Sequence, residues 1–209
     1  MNILGVQIRL NREIMMSERK QFERHLGSVD WYNIFDDDLP SVDDYDAVLI
    51  GGSGGVSLSK QDEHSVYAMQ KVHGLLDTVG AKRVVGICLG YHLIANYFGS
   101  TVINDPRYAE TGTIPLQHGL EGLPNPLLVQ CGHNDSLDAL PVGAELLATG
   151  DVYPLQMFRI GNMYAIQAHP EQCKADLEER LQHFPQYADA LSNLQESPDA
   201  GLLLQYCFR

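Results

Sequence analysis

The sequence predicts an α/β fold: a single domain spanning residues 1–209, with a mostly parallel central sheet flanked by helices and a smaller antiparallel sheet in the second half. Two observations lead to this prediction. Strand-like and helix-like segments alternate in the first half of the chain, which is the signature of βα units around a parallel sheet. After Gly99 the segments become shorter and turn residues separate them, which is typical of antiparallel strands.

The first βα units are predicted as strands over residues 3–8, 31–35 and 45–50, with a helix over residues 13–26 between the first two strands. The third strand ends abruptly at the glycine-rich stretch "GGSGG", residues 51–55. Such a stretch directly after a strand is predicted to form a loop.

A second helix and a buried strand are predicted next. Between residues 60 and 79, apolar residues recur every three or four positions and so mark one face of a helix: Val66, Met69, Val72, Leu75, Leu76 and Val79. The stretch "RVVGI", residues 83–87, lacks the alternation of apolar and polar residues, which favours a strand buried on both faces.

The second half is predicted to contain antiparallel strands in the stretches "TGTIPL", "PLLVQC", "AELLATG", "YPLQMFRI" and "NMYAIQA". A tight turn over residues 160–163 is expected to join the last two of them. From Gln172 the pattern returns to helix, with weak breaks at Pro185 and Pro198.

The composition favours a folded protein without a nucleic-acid or membrane partner. Of the 209 residues, 44% are hydrophobic and 20% charged, which suffices for one apolar core. A net charge of −13 repels phosphate backbones and anionic lipids. No stretch reaches the ~18 apolar residues that a membrane span needs. Four cysteines without a CxxC pair suit a reducing compartment, so a cytoplasmic location is expected.

Cys88 lies in the pentapeptide Gly86-Ile87-Cys88-Leu89-Gly90, where a buried strand is predicted to turn sharply into a helix. Such a turn favours residues without Cβ on either side, as in the nucleophile elbow known for serine. The sulfur would then lie at a helix N-terminus, where the dipole favours the thiolate. The pentapeptide alone leaves a second interpretation open, namely an ordinary buried cysteine.

Two further features bear on this choice. His169 and Glu171, in "AIQAHPEQ", follow a predicted strand and offer a base together with a carboxylate that orients it. The glycine-rich loop at residues 51–55 could present backbone N–H groups to an anion, either a phosphate or a developing oxyanion, although it lacks the spacing of a phosphate-binding loop. Taken singly, each also has a plainer interpretation, as a strand-ending histidine and as a flexible turn.

A metal site is a third possibility, because cysteines, histidines and carboxylates are all present. No pair has the CxxC or HExxH spacing of zinc ligands. Neither a metal nor another cofactor is therefore expected.

Together the three features resemble the class I glutamine amidotransferase family, in its cysteine–histidine–glutamate form. The order along the chain matches: a glycine-rich loop, then GxCxG, then a strand ending in HPE about eighty residues later. Further similar stretches are "ANYFGSTV", "AETGTIPL" and residues 132–171, the last being similar to stand-alone members akin to the amidotransferase domain of GMP synthase. The resemblance implies the family's flavodoxin-like fold.

The resemblance also implies roles for individual residues. Cys88 would attack the side-chain amide carbon of glutamine to form a γ-glutamyl thioester, His169 would transfer protons and Glu171 would orient His169. The backbone N–H groups of Gly52 and Leu89 would bind the oxyanion. Substrate contacts are expected at Gly54, His92, His133, Asn134 and Asp135.

One departure leaves the substrate open. Family members usually continue as GxCxGxQ, whereas here His92 replaces that glutamine. Because hydrogen-bonding sites reject mismatched partners strongly, the substrate is either glutamine or another γ-glutamyl compound. The leading hypothesis is a glutaminase-type amidase that passes ammonia to a partner synthetase subunit or acts as a free-standing hydrolase. The alternatives are a γ-glutamyl peptidase and a catalytically weak regulatory binding protein.

Overall fold

The computed structural model describes residues 1–182 and 188–209, so the break predicted at Pro185 lies outside the described residues. Its centre is a nine-stranded sheet in the order β2-β1-β3-β4-β11-β10-β9-β6-β7. Among the described helices, none combines the length and apolar content needed to cross a bilayer.

One half of the sheet is parallel. Its five strands are β1 (Ile3–Gln7), β2 (Asp30–Asn33), β3 (Ala47–Ile50), β4 (Arg83–Ile87) and β11 (Met163–Ile166). All four pairings between these neighbours are parallel. The unbroken apolar run of β4 is accordingly buried on both faces.

The other half of the same sheet is antiparallel. It consists of β10 (Met157–Ile160), β9 (Glu145–Thr149), β6 (Glu110–His118) and β7 (Leu127–His133). The change of direction occurs at the β10–β11 hairpin, where Gly161 has a φ of 57° in the predicted tight turn. A loop this short can join only antiparallel neighbours.

The predicted α/β fold is confirmed, and the structure refines the description of its second half. Most of the antiparallel strands extend the central sheet. The smaller antiparallel sheet is two-stranded and consists of β5 (Val102–Asn104) and β8 (Asp135–Leu137), neither of which was predicted as a strand.

Helices cover both faces of the sheet. They are α1 (Arg12–Leu26), α2 (Glu63–Leu76), α3 (Leu89–Tyr97), α4 (Lys174–Gln182), α5 (Ala188–Ser192) and α6 (Ala200–Cys207). The side chains of Asn11 and Asp62 cap the first two helices by accepting bonds from backbone N–H groups of the first turn. Helices α2 and α3 pack in one apolar cluster, and α1 and α6 in another.

Successive side chains of β3 point to opposite faces of the sheet, and they show that the sheet separates these two clusters. Val48 and Ile50 belong to the cluster with α2 and α3, whereas Ala47 and Leu49 belong to the cluster with α1 and α6. The chain segments that follow β1, β3, β4 and β11 meet at the carboxyl edge of the parallel half. Ligand sites in open α/β sheets form at this edge.

Candidate active site

Cys88 connects β4 to α3 in a strained backbone conformation. Its φ is 53° and its ψ is −102°, values that L-residues rarely adopt. Its N–H donates to the Ile166 carbonyl at 2.8 Å, which ties the turn to the neighbouring strand β11. The sheet therefore holds the cysteine at the point where the strand becomes a helix.

The glycines on either side of this turn are required by close packing. A Cβ at Gly86 would lie 2.5 Å from the Gly90 carbonyl oxygen, and a Cβ at Gly90 would overlap the Ile50 carbonyl oxygen. The positive φ falls on Cys88 itself and on neither glycine. The elbow prediction is therefore matched in its strand, helix and glycines, and the reason for the glycines is steric.

His169 and Glu171 form a buried pair beside Cys88. The Nδ1–H of His169 donates to Glu171 Oε1 at 2.6 Å, and the backbone N–H of His169 donates to the Gln130 carbonyl at 2.8 Å. A Cβ at Gly52 would lie 3.2 Å from His169 Cε1 and 3.4 Å from Cys88 Cβ. The side chains of Cys88 and His169 therefore both lie against Gly52 of the glycine-rich loop.

The electrostatics favour a thiolate paired with an imidazolium. Burial acts to raise the pKa of Cys88, but the charge of His169 and its hydrogen bond outweigh burial, and the pKa falls below its ordinary value. Burial acts to lower the pKa of His169, but the charges of Glu171 and Cys88 outweigh it and raise the pKa to about 9. The two groups titrate as a coupled pair.

The glycine-rich loop is an ordered turn. The hydroxyl of Ser53 accepts hydrogen bonds from the N–H groups of Gly55, at 3.3 Å, and Val56, at 3.1 Å. The N–H of Gly52, predicted as an oxyanion donor, instead donates to Glu18 Oε1 at 3.1 Å. Its role toward an oxyanion stays a prediction, and it requires the amide to exchange one acceptor for another.

Glu18 and Arg9 form a buried ion pair under this loop that sequence reasoning missed. Arg9 Nη2 lies 2.6 Å from Glu18 Oε1, and Gln7 Nε2 donates to Glu18 Oε2 at 2.8 Å. Burial acts to lower the pKa of Arg9, but Glu18 outweighs it and raises that pKa. A charged residue just past a predicted parallel strand was the signal that could have identified Arg9.

The residues predicted to bind substrate border one pocket of about 310 Å³. Its wall includes Cys88, Gly54, His92 and residues 132–135. The His133 imidazole, however, is already hydrogen-bonded within the protein, because its Nδ1–H donates to the Asp135 carbonyl at 2.9 Å.

The Asp135 carboxylate is also already bound. It accepts from the hydroxyls of Ser57, at 2.6 Å, and Ser59, at 2.7 Å. Asn104 Nδ2 donates to the Asn134 carbonyl at 3.3 Å. These bonds occupy the Asp135 carboxylate, whereas the exposed Asn134 side chain is not part of them, and substrate binding by this loop stays a prediction.

His92, the departure from the family pattern, is 3% exposed and forms part of the pocket wall. Burial lowers its pKa to about 4, against the opposing effect of Asp135. Its Nε2 has no hydrogen-bond partner among the described residues. His92 is therefore a neutral imidazole at physiological pH.

Arg180, on α4, also borders the pocket and was not predicted. Its guanidinium lies over Gly132 of β7, where a Cβ would be 2.5 Å from Nη2. Burial lowers the pKa of Arg180, and the Cys88 charge acts in the opposite direction. No motif marked this residue, because its approach to the pocket depends on how α4 packs.

A group with metal-ligand chemistry lies behind the pocket, where ligand atoms of Glu110, Cys131 and His133 come within 4.8 Å of one another. The Glu110 carboxylate already accepts from Gln156 Nε2 at 2.5 Å, and His133 Nε2 lies 3.3 Å from the same carboxylate oxygen. Burial and the Glu110 charge raise the pKa of the Cys131 thiol, which disfavours the thiolate that a metal needs. The group is better described as an internal hydrogen-bond network.

Comparison with known proteins gives consistent matches. The family profile "Glutamine amidotransferase class-I" matches residues 20–182. A glutamine-hydrolyzing GMP synthase subunit from Archaeoglobus fulgidus is 31% identical over 139 residues, covering 64% of this chain and 70% of its own. Gamma-glutamyl peptidase 3 of Arabidopsis thaliana is 28% identical over 202 residues, covering 85% and 80%.

A solved structure supports the fold. The glutamine amidotransferase from Thermotoga maritima superposes with a TM-score of 0.68 at 24% identity, covering 98% of this chain and 90% of that one.

Proposed function

The chain belongs to the class I glutamine amidotransferase family, and we propose from this premise that it hydrolyses the side-chain amide of glutamine or of a γ-glutamyl compound through a cysteine thioester. One observation carries the proposal: a cysteine held at a strained strand–helix turn, with a lowered pKa, lies beside a histidine that is bonded to a buried glutamate. A nucleophile, a base and an orienting carboxylate are the parts that covalent amide hydrolysis needs.

The reaction begins when the Cys88 thiolate attacks the amide carbon. The His169 imidazolium then protonates the leaving nitrogen, the C–N bond breaks, and ammonia or an amine departs from a γ-glutamyl thioester. Neutral His169 next takes a proton from water, which attacks the thioester carbonyl and releases glutamate and the thiolate. Glu171 keeps the imidazole in the tautomer that serves both steps.

The oxyanion of each step needs donors near Cys88. The N–H of Leu89 belongs to the first turn of α3, whose amides have no acceptor within the helix. The N–H of Gly52 is the second proposed donor, and it becomes free when it releases Glu18. Gly54, His92 and the loop of His133, Asn134 and Asp135 are proposed to hold the glutamyl end of the substrate.

A second candidate activity, that of a γ-glutamyl peptidase, is favoured by His92. The neutral imidazole replaces a glutamine side chain and changes the donor and acceptor pattern of the wall. The names of the relatives point both ways, one toward a synthase subunit that would pass ammonia to a partner synthetase and one toward a peptidase.

All four cysteines are free thiols, which supports the proposed cytoplasmic location.

Release of ammonia or amine from glutamine and a panel of γ-glutamyl amides tests the proposal. We expect wild-type protein to hydrolyse at least one of these substrates, and Cys88→Ala to lose at least ~10³-fold in kcat, as removal of a covalent nucleophile does. Cys173→Ala, which removes a half-buried thiol outside the pocket, is the matched control.

Labelling separates a hydrolase from a binding protein. A glutamine-analogue diazo-ketone is expected to modify Cys88, and Cys88→Ala to abolish that label. If generic thiol reagents react at Cys88 while no γ-glutamyl electrophile does, the proposed substrate class is wrong.

A further inference from the structure

Arg9 is a buried cation in the wall of the active-site pocket, and the proposed reaction does not use it. Its side chain borders the pocket together with those of Cys88 and His169. Its Nη2 lies 2.6 Å from Glu18 Oε1, and this ion pair holds the guanidinium in place. Glu18 is the one hydrogen-bond acceptor that the guanidinium has among the described residues. The pair therefore leaves Nη1, which lies 3.6 Å from the Cβ position of Gly54, without an acceptor there.

The Arg9 guanidinium meets the two reacting side chains at Gly52. A Cβ at Gly52 would lie 3.2 Å from His169 Cε1 and 3.4 Å from Cys88 Cβ. The same point is 3.5 Å from Arg9 Nη2, so the three side chains surround one position. Arg180, the other guanidinium of the pocket wall, instead lies against β7. The structure therefore places Arg9, with its fixed positive charge, beside both the nucleophile and the base.

Arg9 and the Gly52 amide already act on one oxygen. Glu18 Oε1 accepts from the N–H of Gly52 at 3.1 Å and from Arg9 Nη2 at 2.6 Å. The Gly52 N–H is thus turned toward Glu18, and it must leave that oxygen before it can bind an oxyanion. Arg9 borders the pocket and has further N–H groups, so it can contact a negative charge beside Cys88 without such an exchange.

We propose that Arg9 binds the oxyanion that forms on the substrate carbonyl, adding a charged donor to the backbone N–H groups of Leu89 and Gly52. This inference rests on the proposed function, whose transition state it describes further. Hydrogen bonds from a guanidinium to an anionic oxygen are about twice as strong as neutral ones. Because Glu18 fixes the guanidinium beforehand, Arg9 needs little reorganisation when the charge develops. The charge is absent from the bound substrate, so Arg9 should lower the barrier without tightening substrate binding.

The kinetics of Arg9→Gln test this role, with the γ-glutamyl amide that the wild type hydrolyses fastest as substrate. We expect kcat to fall by about 10²-fold, as when one oxyanion donor is removed, while KM stays near its wild-type value. The double variant Arg9→Gln, Glu18→Gln leaves no unpaired buried carboxylate, and it should show the same loss. Arg9→Lys should recover part of kcat, because it keeps the charge but loses the planar fork of donors.

The matched control is Arg159→Gln, which removes an exposed arginine that is also paired with a glutamate, Glu145. Its kcat should equal that of the wild type.

Alkylation separates an oxyanion contact from an effect on the thiol. Above the titration midpoint of Cys88, iodoacetamide should modify Cys88 about as fast in Arg9→Gln as in the wild type, because displacement of iodide by the thiolate forms no oxyanion. If alkylation and amide hydrolysis fall together, Arg9 acts on Cys88 itself and the inference is wrong.

Three kinetic results would also overturn the inference. A rise in KM with unchanged kcat would mean that Arg9 binds the substrate before the reaction. Wild-type kcat in the double variant would show that the reaction does not need Arg9. A loss of kcat in Arg180→Gln that Arg9→Gln does not share would assign the oxyanion to Arg180. If the wild type hydrolyses no γ-glutamyl substrate, the proposed function itself fails.

Discussion

At the scale of single residues, the reactivity of Cys88 results from opposing environments. Burial alone would raise the pKa of the sulfur, as burial and the Glu110 charge do for Cys131, which lies in the same apolar cluster. The difference is the neighbouring imidazole, which Cys131 lacks as a hydrogen-bond partner. The nucleophile is therefore a property of the Cys88–His169 pair and not of the thiol alone.

The pH dependence of alkylation follows from this balance. In a Cys173→Ser background, the rate at which iodoacetamide modifies Cys88 should rise through a midpoint below the ordinary value of 9.0, because the lowered pKa means that thiolate forms at lower pH. In His169→Asn the midpoint should move upward, since burial then acts with less opposition. Peptide mass spectrometry over a pH series measures both, and an unchanged midpoint in the variant would contradict the ion-pair description.

His92 is the residue at which substrate preference is expected to change. His92→Gln restores the residue usual in the family. We expect it to raise the ratio of kcat/KM for glutamine to kcat/KM for other γ-glutamyl amides by about 10-fold, the effect of one matched hydrogen bond in a buried site. Because the pKa of His92 is about 4, its replacement removes no charge near neutral pH. The activity profile between about pH 6 and 8 should keep its shape.

The control for this variant is His118→Gln, which changes a half-buried histidine at the end of β6, outside the pocket. If the ratio of kcat/KM for glutamine to kcat/KM for other γ-glutamyl amides is the same in His92→Gln and wild type, His92 does not set the substrate preference.

At the scale of elements, the elbow depends on three backbones that approach one another. Gly90 of α3 lies against the end of β3, where the Ile50 carbonyl occupies the space of a side chain. Gly86 of β4 lies in turn against Gly90. The strand–helix turn therefore forms only if both glycines are present.

Gly90→Ala should accordingly destabilise the fold. We expect a loss of about 2–4 kcal/mol in the free energy of unfolding, because neither backbone can move without disturbing the sheet. The matched control is Gly74→Ala in α2, where a new Cβ meets no atom within 4 Å. There alanine should be neutral or add about 0.5–1 kcal/mol, as in other helix interiors. Urea denaturation of the two variants measures the difference, and equal stabilities would contradict the steric explanation.

Sequence patterns predicted the elements that carry strong local signals. The strand β4, the helix α1 and the β10–β11 hairpin all lie where they were predicted, because periodicity and turn residues are local properties. The strands β5 and β8 were missed, since each has three residues and too short a pattern to detect.

The site residues that could be predicted from the sequence are likewise those that lie in local sequence patterns. Cys88, His169 and Glu171 lie within motifs that are local in sequence. Glu18 was missed because it projects from the middle of α1 and meets Gly52 only in the folded structure. Arg180 was missed for the same reason, since its contact with Gly132 joins α4 to β7.

At the scale of the whole molecule, the site lies where the parallel and antiparallel halves of the sheet join. Cys88 follows β4 and His169 follows β11, and these two strands are parallel neighbours. An isolated bridge between His169 and Gln130 then connects the site to β7 at the far edge of the antiparallel half. Loosening either half would therefore move one member of the pair relative to the other.

This continuity supports the proposal that residues 1–209 form a single domain and predicts that the chain unfolds in one cooperative transition. Trp31, the only tryptophan, lies on the edge strand β2 of the parallel half, so its fluorescence should change at the same urea concentration as the far-UV circular dichroism of the whole sheet. Leu93→Ala and Leu204→Ala remove fully buried side chains on opposite faces of the sheet, and each should lower stability by about 2–5 kcal/mol. In a single domain both variants must shift both signals together, because each apolar cluster is lost with the sheet that divides them. Separate transitions, or a variant that shifts one signal alone, would mean that the two halves unfold independently.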